Sequence, residues 1–232
     1  MADGKTSILA VDDDARLLRM VQLILELEGY QVLKAIDGEK ALAVFDRETP
    51  DLVLLDIMMP GMDGRTVCER IREFSSVPII MVSAKGDEEE KVRCLDSGAD
   101  DYITKPFSTK ELTARIRAAL RHTKSPHERS DPVLTFEDIV IDTVRRRASL
   151  GGEELILTAT EYRLLAYLAR NAGMVLTSDQ ILDEVWGEDY IGDYHLLQVN
   201  VARLRQKLGD GARNPKYIIT RSGIGYMMSA GT

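Results

Sequence analysis

The chain has 232 residues, 44% of them apolar, and a formal net charge of −8. That length fits one large or two modest domains, and the apolar share is enough for packed cores. The acidic balance excludes a protein that coats nucleic acid through its overall charge, so any DNA contact must come from a local patch.

No window approaches the roughly eighteen apolar residues of a membrane span. The opening Met-Ala-Asp-Gly-Lys-Thr-Ser lacks the apolar core of an export signal, so the expectation is a soluble, cytoplasmic protein with no membrane partner. Cys68 and Cys94 form no C-x-x-C pair and have no histidine at metal-ligand spacing, which suits two thiols in a reducing compartment. Residues 1–124 carry 18 Lys/Arg against 23 Asp/Glu and residues 125–232 carry 12 against 15, so neither half is basic.

Ser7–Val11 is a short apolar run that ends in three acids, Asp12, Asp13 and Asp14, and reads as a first strand. Leu17, Leu18, Val21, Ile24, Leu25 and Leu27 then recur at helical spacing until Gly29 stops the helix. Val32–Ala35 is the second strand and Gly38–Glu48 the second helix, with Ala41, Leu42 and Phe45 on one face. Leu52–Leu55 is a continuous apolar run that delivers Asp56 into a loop broken by Pro60, Gly61 and Gly64, the pattern of a central parallel strand. On this stretch alone Asp56 is either a helix cap or a reactive carboxylate. Arg65–Phe74 is the third helix, with Val67, Ile71 and Phe74 inward, and Pro78–Val82 the fourth strand, ending at Ser83. Asp87–Ser97 is the fourth helix, Tyr102–Ile103 lies on a short fifth strand, and Ser108–Arg121 is the last helix, capped by Ser108 with Glu111 three residues on.

Strands alternating with helices through short loops imply an α/β fold with a parallel sheet covered on both faces. Ligands of such sheets bind beyond the carboxyl ends of the strands. The residues at those ends are Asp12 and Asp13, Asp56, Ser83 and Lys105. Three crowded carboxylates raise each other's pKa unless a hard divalent cation such as Mg²⁺ neutralises them. Mg²⁺ is therefore the expected cofactor, with Asp56 free to attack phosphorus as a nucleophile. Lys105 as a cation and Ser83 as a donor then satisfy the remaining phosphoryl oxygens.

Residues 5–121 resemble the receiver domain of bacterial two-component response regulators, through V-D-D-D (11–14), L-L-D-I-M-M-P-G-M-D-G (54–64), M-V-S-A-K (81–85) and D-D-Y-I-T-K-P-F (100–107). The resemblance implies a flavodoxin-like five-stranded sheet of order 2-1-3-4-5. It implies that Asp56 accepts a phosphoryl group from a sensor histidine kinase, with Mg²⁺ held by Asp12, Asp13, Asp56 and the carbonyl of Met58. It further implies that Lys105 contacts the phosphate and precedes a cis Pro106, and that Ser83 and Tyr102 are the hydroxyl and aromatic switch positions. Phosphate draws Ser83 inward and vacates space for Tyr102, which repacks the face made by the fourth helix, fifth strand and fifth helix. On that face Lys91–Glu111 and Asp101–Arg115 match intersubunit pairs of a two-fold homodimer, and Asp100 pairs with Arg121 or His122. Met58 and Lys85, two residues past Asp56 and Ser83, are placed to shield the acyl phosphate from water.

Residues 122–132, polar and with two prolines, read as a linker between domains at 1–121 and 133–232. Four strand-like runs follow, Leu134–Phe136, Ile139–Asp142, Arg147–Leu150 and Leu155–Leu157, with Gly151-Gly152 as a hairpin turn. Three helices come next: Thr160–Asn171, Ser178–Trp186 and a third about Tyr194–Leu208, whose buried stripe is Leu197, Val201, Leu204 and Leu208. Its other faces are expected to offer Gln198, Asn200, Arg203, Arg205 and Lys207, and a hairpin of Tyr217–Thr220 and Gly225–Met228 closes the chain. Six Lys/Arg against one acid between Val201 and Arg221 supply the local basic patch.

Residues 133–229 resemble the winged helix-turn-helix effector domain of the OmpR/PhoB class, an α+β fold, through T-A-T-E-Y-R-L-L (158–165), V-W-G (185–187), V-N-V-A-R-L-R-Q-K-L (199–208) and G-I-G-Y (223–226). By that resemblance Arg203 contacts bases and Arg205 phosphate; Asn200, Lys207 and the wing's Arg221 complete the expected DNA set. Asn200 and Ala202 stand where His and Arg are frequent, and Arg221-Ser222 replaces a usual Val-Arg. The resemblance implies a phosphorylation-activated transcription regulator, not an enzyme, that dimerises through its receiver, with a sensor kinase, direct-repeat promoter DNA, a second copy of itself and RNA polymerase as partners. The alternatives are a Mg²⁺-dependent aspartyl-phosphate hydrolase, which would carry its nucleophile in a D-x-D after the first strand, and a constitutive dimer that works without phosphate.

Overall fold

A computed structural model describes residues 5–84, 93–120, 133–211 and 213–229. It divides into two compact units, Met1–Thr123 and Lys124–Thr232.

The first unit is a five-stranded parallel sheet in the order β2-β1-β3-β4-β5. The strands are β1 Ser7–Val11, β2 Gln31–Ala35, β3 Leu52–Asp56, β4 Ile79–Ser83 and β5 Asp101–Thr104. β3 and β4 are buried at every position because helices cover both faces, which is why they read as continuous apolar runs. The helices Ala15–Leu27, Gly38–Glu48 and Gly64–Arg72 each start from an aspartate, Asp14, Asp37 and Asp63, that accepts from a first-turn backbone N–H. Ser108 does the same for helix Thr109–Leu120 by accepting from Glu111 N at 3.1 Å. Of the expected fourth helix only its end is among the described residues, helical at 93–96. One expectation is corrected: Phe74 lies beyond the third helix and is 63% exposed, its ring meeting Phe45 edge-on at 5.9 Å between centroids.

The second unit opens with a four-stranded antiparallel sheet of Val133–Phe136, Ile139–Asp142, Arg147–Leu150 and Glu153–Leu155, turning on Gly151 and Gly152 at positive φ. Its last strand starts two residues earlier than the apolar run suggested, because the register is set by Leu150 pairing with Glu153 across the turn. Helices Ala159–Arg170, Ser178–Val185 and Tyr194–Leu208 follow, the first two entered through reciprocal capping boxes, Thr158/Glu161 and Thr177/Gln180. The hairpin Ile218–Arg221 and Gly225–Met228 gains a third strand, Leu176–Thr177, too short to show in the sequence. Gly225 makes that contact possible, since a Cβ there would collide with the carbonyl oxygen of Leu176.

Candidate functional site

Two strand ends converge on one cluster of three acids. β1 delivers Asp12 and Asp13 and β3 delivers Asp56; one carboxylate oxygen of each lies within 4.8 Å of the others. Asp12 and Asp56 are buried while Asp13 is exposed. Gly64 permits the tight return of the β3 loop: its N–H donates to Ile57 O at 3.0 Å, and a Cβ would collide with the carbonyl oxygen of Asp56. Met58 stands open to solvent two residues after Asp56.

Lys105 enters from the end of β5, anchored by its N–H to Ser83 O at 2.7 Å and followed by a cis bond to Pro106. Its Nζ donates to Asp12 Oδ2 and Asp56 Oδ1, both at 2.7 Å. Burial pushes the Asp56 carboxyl above its ordinary pKa; Lys105 opposes the rise, and Asp12 and Asp13 add to it. Burial alone would lower Lys105, but its hydrogen bonds to Asp12 and Asp56 outweigh this and raise it. Three carboxylates against one ammonium leave an excess of two negative charges. An all-oxygen set with that charge fits a divalent cation of the Mg²⁺ kind. Ser83, at the end of β4, is buried beside this edge.

The expected switch and dimer residues occupy different environments. Tyr102 is already buried, with the Arg115 guanidinium 5.8 Å from its ring centroid. Arg115 Nη1 donates to Asp101 Oδ1 at 2.9 Å and Nε to Glu111 Oε1 at 3.4 Å, so the Asp101–Arg115 pair expected between subunits is formed within one chain. Asp100 is buried, and its Oδ2 accepts from Arg72 Nη2 at 2.7 Å and from Ile79 N at 3.0 Å, a pairing within the chain that the sequence did not announce. Arg72 also donates to the carbonyls of Gly98, Ser75 and Val77. Lys85, Lys91, Arg121 and His122 lie outside the described residues.

The helix Tyr194–Leu208 corrects two members of the expected DNA set, Asn200 and Arg205. Asn200 is fully buried and donates to Leu196 O at 2.9 Å. Arg205 is buried under the hairpin, donating to Ile218 O at 3.2 and 2.6 Å and to Thr220 Oγ1 at 2.8 Å, with its guanidinium 5.9 Å from the Tyr226 centroid. Lys207 Nζ donates to Glu161 Oε2 at 2.6 Å, and the partly buried Arg203 lies 3.4 Å from Glu161 Oε1. The exposed positions of the helix are Lys207 and a stripe of Tyr194, Gln198, Ala202 and Gln206, spaced four apart along one face. A second face is buried because the helix packs on both Ala159–Arg170 and Ser178–Val185, while Arg205 reaches the hairpin. Gln198 and Tyr194 line an open groove of about 560 Å³ with Thr177, Asp179, Arg221 and Tyr226, and Arg221 is exposed as expected.

Comparison with known proteins bears on both units. Residues 8–117 match the family described as response regulator receiver domain, and residues 152–228 the family described as transcriptional regulatory protein, C terminal. The sensory transduction protein RegX3 of Mycobacterium bovis is 46% identical over 224 residues, 96% of this chain and 99% of that protein. The RegX3 of Mycolicibacterium smegmatis is 45% identical over 225 residues, 96% and 99% of the two. Among solved structures, a mutant of RitR gives a TM-score of 0.77 at 29% identity, covering 98% of this chain and all of that one. The response regulator DrrB, a Thermotoga maritima OmpR/PhoB homolog, gives 0.54 at 32% identity over 97% of this chain and all of that one. No described helix is long and apolar enough to cross a membrane.

Proposed function

The chain belongs to the two-component response regulators that join a receiver to an OmpR/PhoB-type DNA-binding domain, and from that premise we propose that phosphorylation of Asp56 by a sensor histidine kinase switches it to a homodimer that binds promoter DNA. The observation that carries this reading is the bridge made by Lys105 Nζ between Asp12 and Asp56 at the strand edge, with Asp13 beside it.

An ionised oxygen of Asp56 attacks the phosphorus of a phosphohistidine; a P–O bond forms as the P–N bond breaks, and the imidazole nitrogen leaves with the bonding pair. Asp12, Asp13, Asp56 and the Met58 carbonyl are the groups that would hold Mg²⁺, which supplies positive charge to the phosphoryl oxygens and lets the carboxylates crowd together. Lys105 carries the second positive charge and can exchange its bond to Asp56 for one to a phosphoryl oxygen. The Ser83 hydroxyl is the donor for another oxygen and transmits the event to the face of Tyr102, Asp101, Glu111 and Arg115.

On the second unit, Gln198, Ala202 and Tyr194 meet the major groove, Arg203 reaches in from the flank of that stripe, and Arg221 follows the backbone from the hairpin. Bound regulator recruits RNA polymerase. The test is exposure of the full chain to acetyl phosphate and Mg²⁺ with intact-mass analysis. One hydroxylamine-labile phosphoryl increment, absent from Asp56→Asn, is expected. No increment, or one that survives Asp56→Asn, overturns the reading.

A further inference from the structure

The carboxylate of Glu161 has no part in the proposed function, yet it is the most enclosed charge among the described residues of the second unit. It lies in the first turn of helix Ala159–Arg170 and is fully buried. Oε2 accepts from Thr158 N at 2.8 Å and from Lys207 Nζ at 2.6 Å, and Oε1 faces Arg203 Nη2 at 3.4 Å. Closing a capping box needs only one neutral acceptor, which glutamine supplies as well. A buried full charge is costly unless paired, and both partners here come from the helix that presents Gln198 and Ala202. They stand four residues apart, on successive turns of that helix.

We propose that Glu161 is a positioning residue for DNA recognition: it holds Arg203 beside the outward stripe and cancels one of two positive charges, favouring sequence discrimination over general attachment to phosphate. Non-specific affinity for duplex DNA scales with the number of cations that neutralise phosphates. With Glu161 in place, Arg203 and Lys207 contribute one net charge. An arginine kept in place by an ion pair loses less side-chain freedom when it meets a base edge, and its planar fork suits guanine. Glu161 never touches DNA in this account, because it is enclosed between the two helices. The inference rests on the reading that the second unit binds duplex DNA.

The test uses the full chain, a site selected from random DNA by the wild-type protein, and a random duplex, with binding followed by fluorescence anisotropy from about 50 to 200 mM salt. Glu161→Gln keeps the acceptor for Thr158 N. Its salt dependence on random duplex is expected to steepen by about one unit of slope, and its preference for the selected site to fall about tenfold. A merely structural loss would weaken binding to both duplexes without steepening the slope. Unchanged slope and preference overturn the proposal. If circular dichroism finds Glu161→Gln unfolded, Lys207→Met replaces it, since Arg203 then keeps Glu161 to itself. Its slope should become shallower by about one while preference stays within about twofold; a tenfold fall in preference overturns the proposal. A wild-type chain that prefers no duplex defeats the DNA-binding reading itself, whereas a preference that survives Glu161→Gln defeats only this inference.

Discussion

The Nζ of Lys105 lies 2.7 Å from Asp56 Oδ1, and still the Asp56 carboxyl is held above its ordinary pKa. One ammonium shared with Asp12 does not offset burial together with two neighbouring acids. The sign of the consequence follows from linkage. Below the ordinary carboxylate range Asp56 is protonated in folded and unfolded chains alike and costs nothing. As pH rises through the folded-state pKa, the folded chain must ionise a group that the unfolded chain ionises more readily, and stability falls. Asp56→Asn is therefore expected to raise the melting temperature of the metal-free protein at pH 7, with the gain vanishing towards pH 3. Millimolar Mg²⁺ should stabilise the wild type more than the variant. Thermal melts with and without EDTA across that pH range check both statements.

Asp100 gives a prediction opposite to that for an interface residue. Asp100→Asn leaves the largely buried Arg72 without its carboxylate, at a cost of about 3 kcal/mol. Urea denaturation should register that loss. Light scattering of the phosphorylated protein should give an unchanged dimer constant under conditions where the variant is folded.

Gly64 is constrained by the carbonyl of the residue whose side chain is the proposed phosphoryl acceptor. Gly64→Ala is expected to destabilise by about 2 kcal/mol, the cost of overpacking against backbone. It should also slow modification of Asp56 by acetyl phosphate. A time course by intact mass at a temperature where both proteins are folded separates the two effects.

The inward and outward sides of helix Tyr194–Leu208 predict separable phenotypes. Gln198→Ala should weaken binding to a selected site about tenfold, the value of a base contact, and leave the melting temperature unchanged. Arg205→Met should cost about 2 kcal/mol of stability by removing charge-assisted bonds to Ile218 O and Thr220 Oγ1. Anisotropy and calorimetry on the same samples check the separation.

Much of the first unit was legible because its signals are local. Apolar runs marked the buried strands, apolar residues at helical spacing marked the helices, and the chemistry-bearing residues fell at strand ends where a parallel sheet collects them. Asp100 was not legible: an acid next to Asp101 reads as surface charge until Arg72, twenty-eight residues earlier, is seen to cover it. The recognition helix was half legible. At about 100° per residue, Asn200 lies about 60° and Arg205 about 80° from the Leu197 stripe, whereas Ala202 lies about 140° away. Angles that shallow are exposed on a helix with one neighbour and buried on a helix with two. Nothing local announced that Ser178–Val185 would pack on this helix as well as Ala159–Arg170, or that the hairpin would cover Arg205.

The Asp101–Arg115 pair bears on what drives association. Because the bond is satisfied inside a single chain, reaching across to a second copy would exchange one ion pair for its equal. Two such swaps at a two-fold axis break and remake the same number of contacts, so their sum adds little affinity. They make association conditional on alignment, since a copy docked out of register would break its own pair and find none in return. The charges at this face would thus act as a template for symmetry, and attraction would have to come from other groups of the same surface.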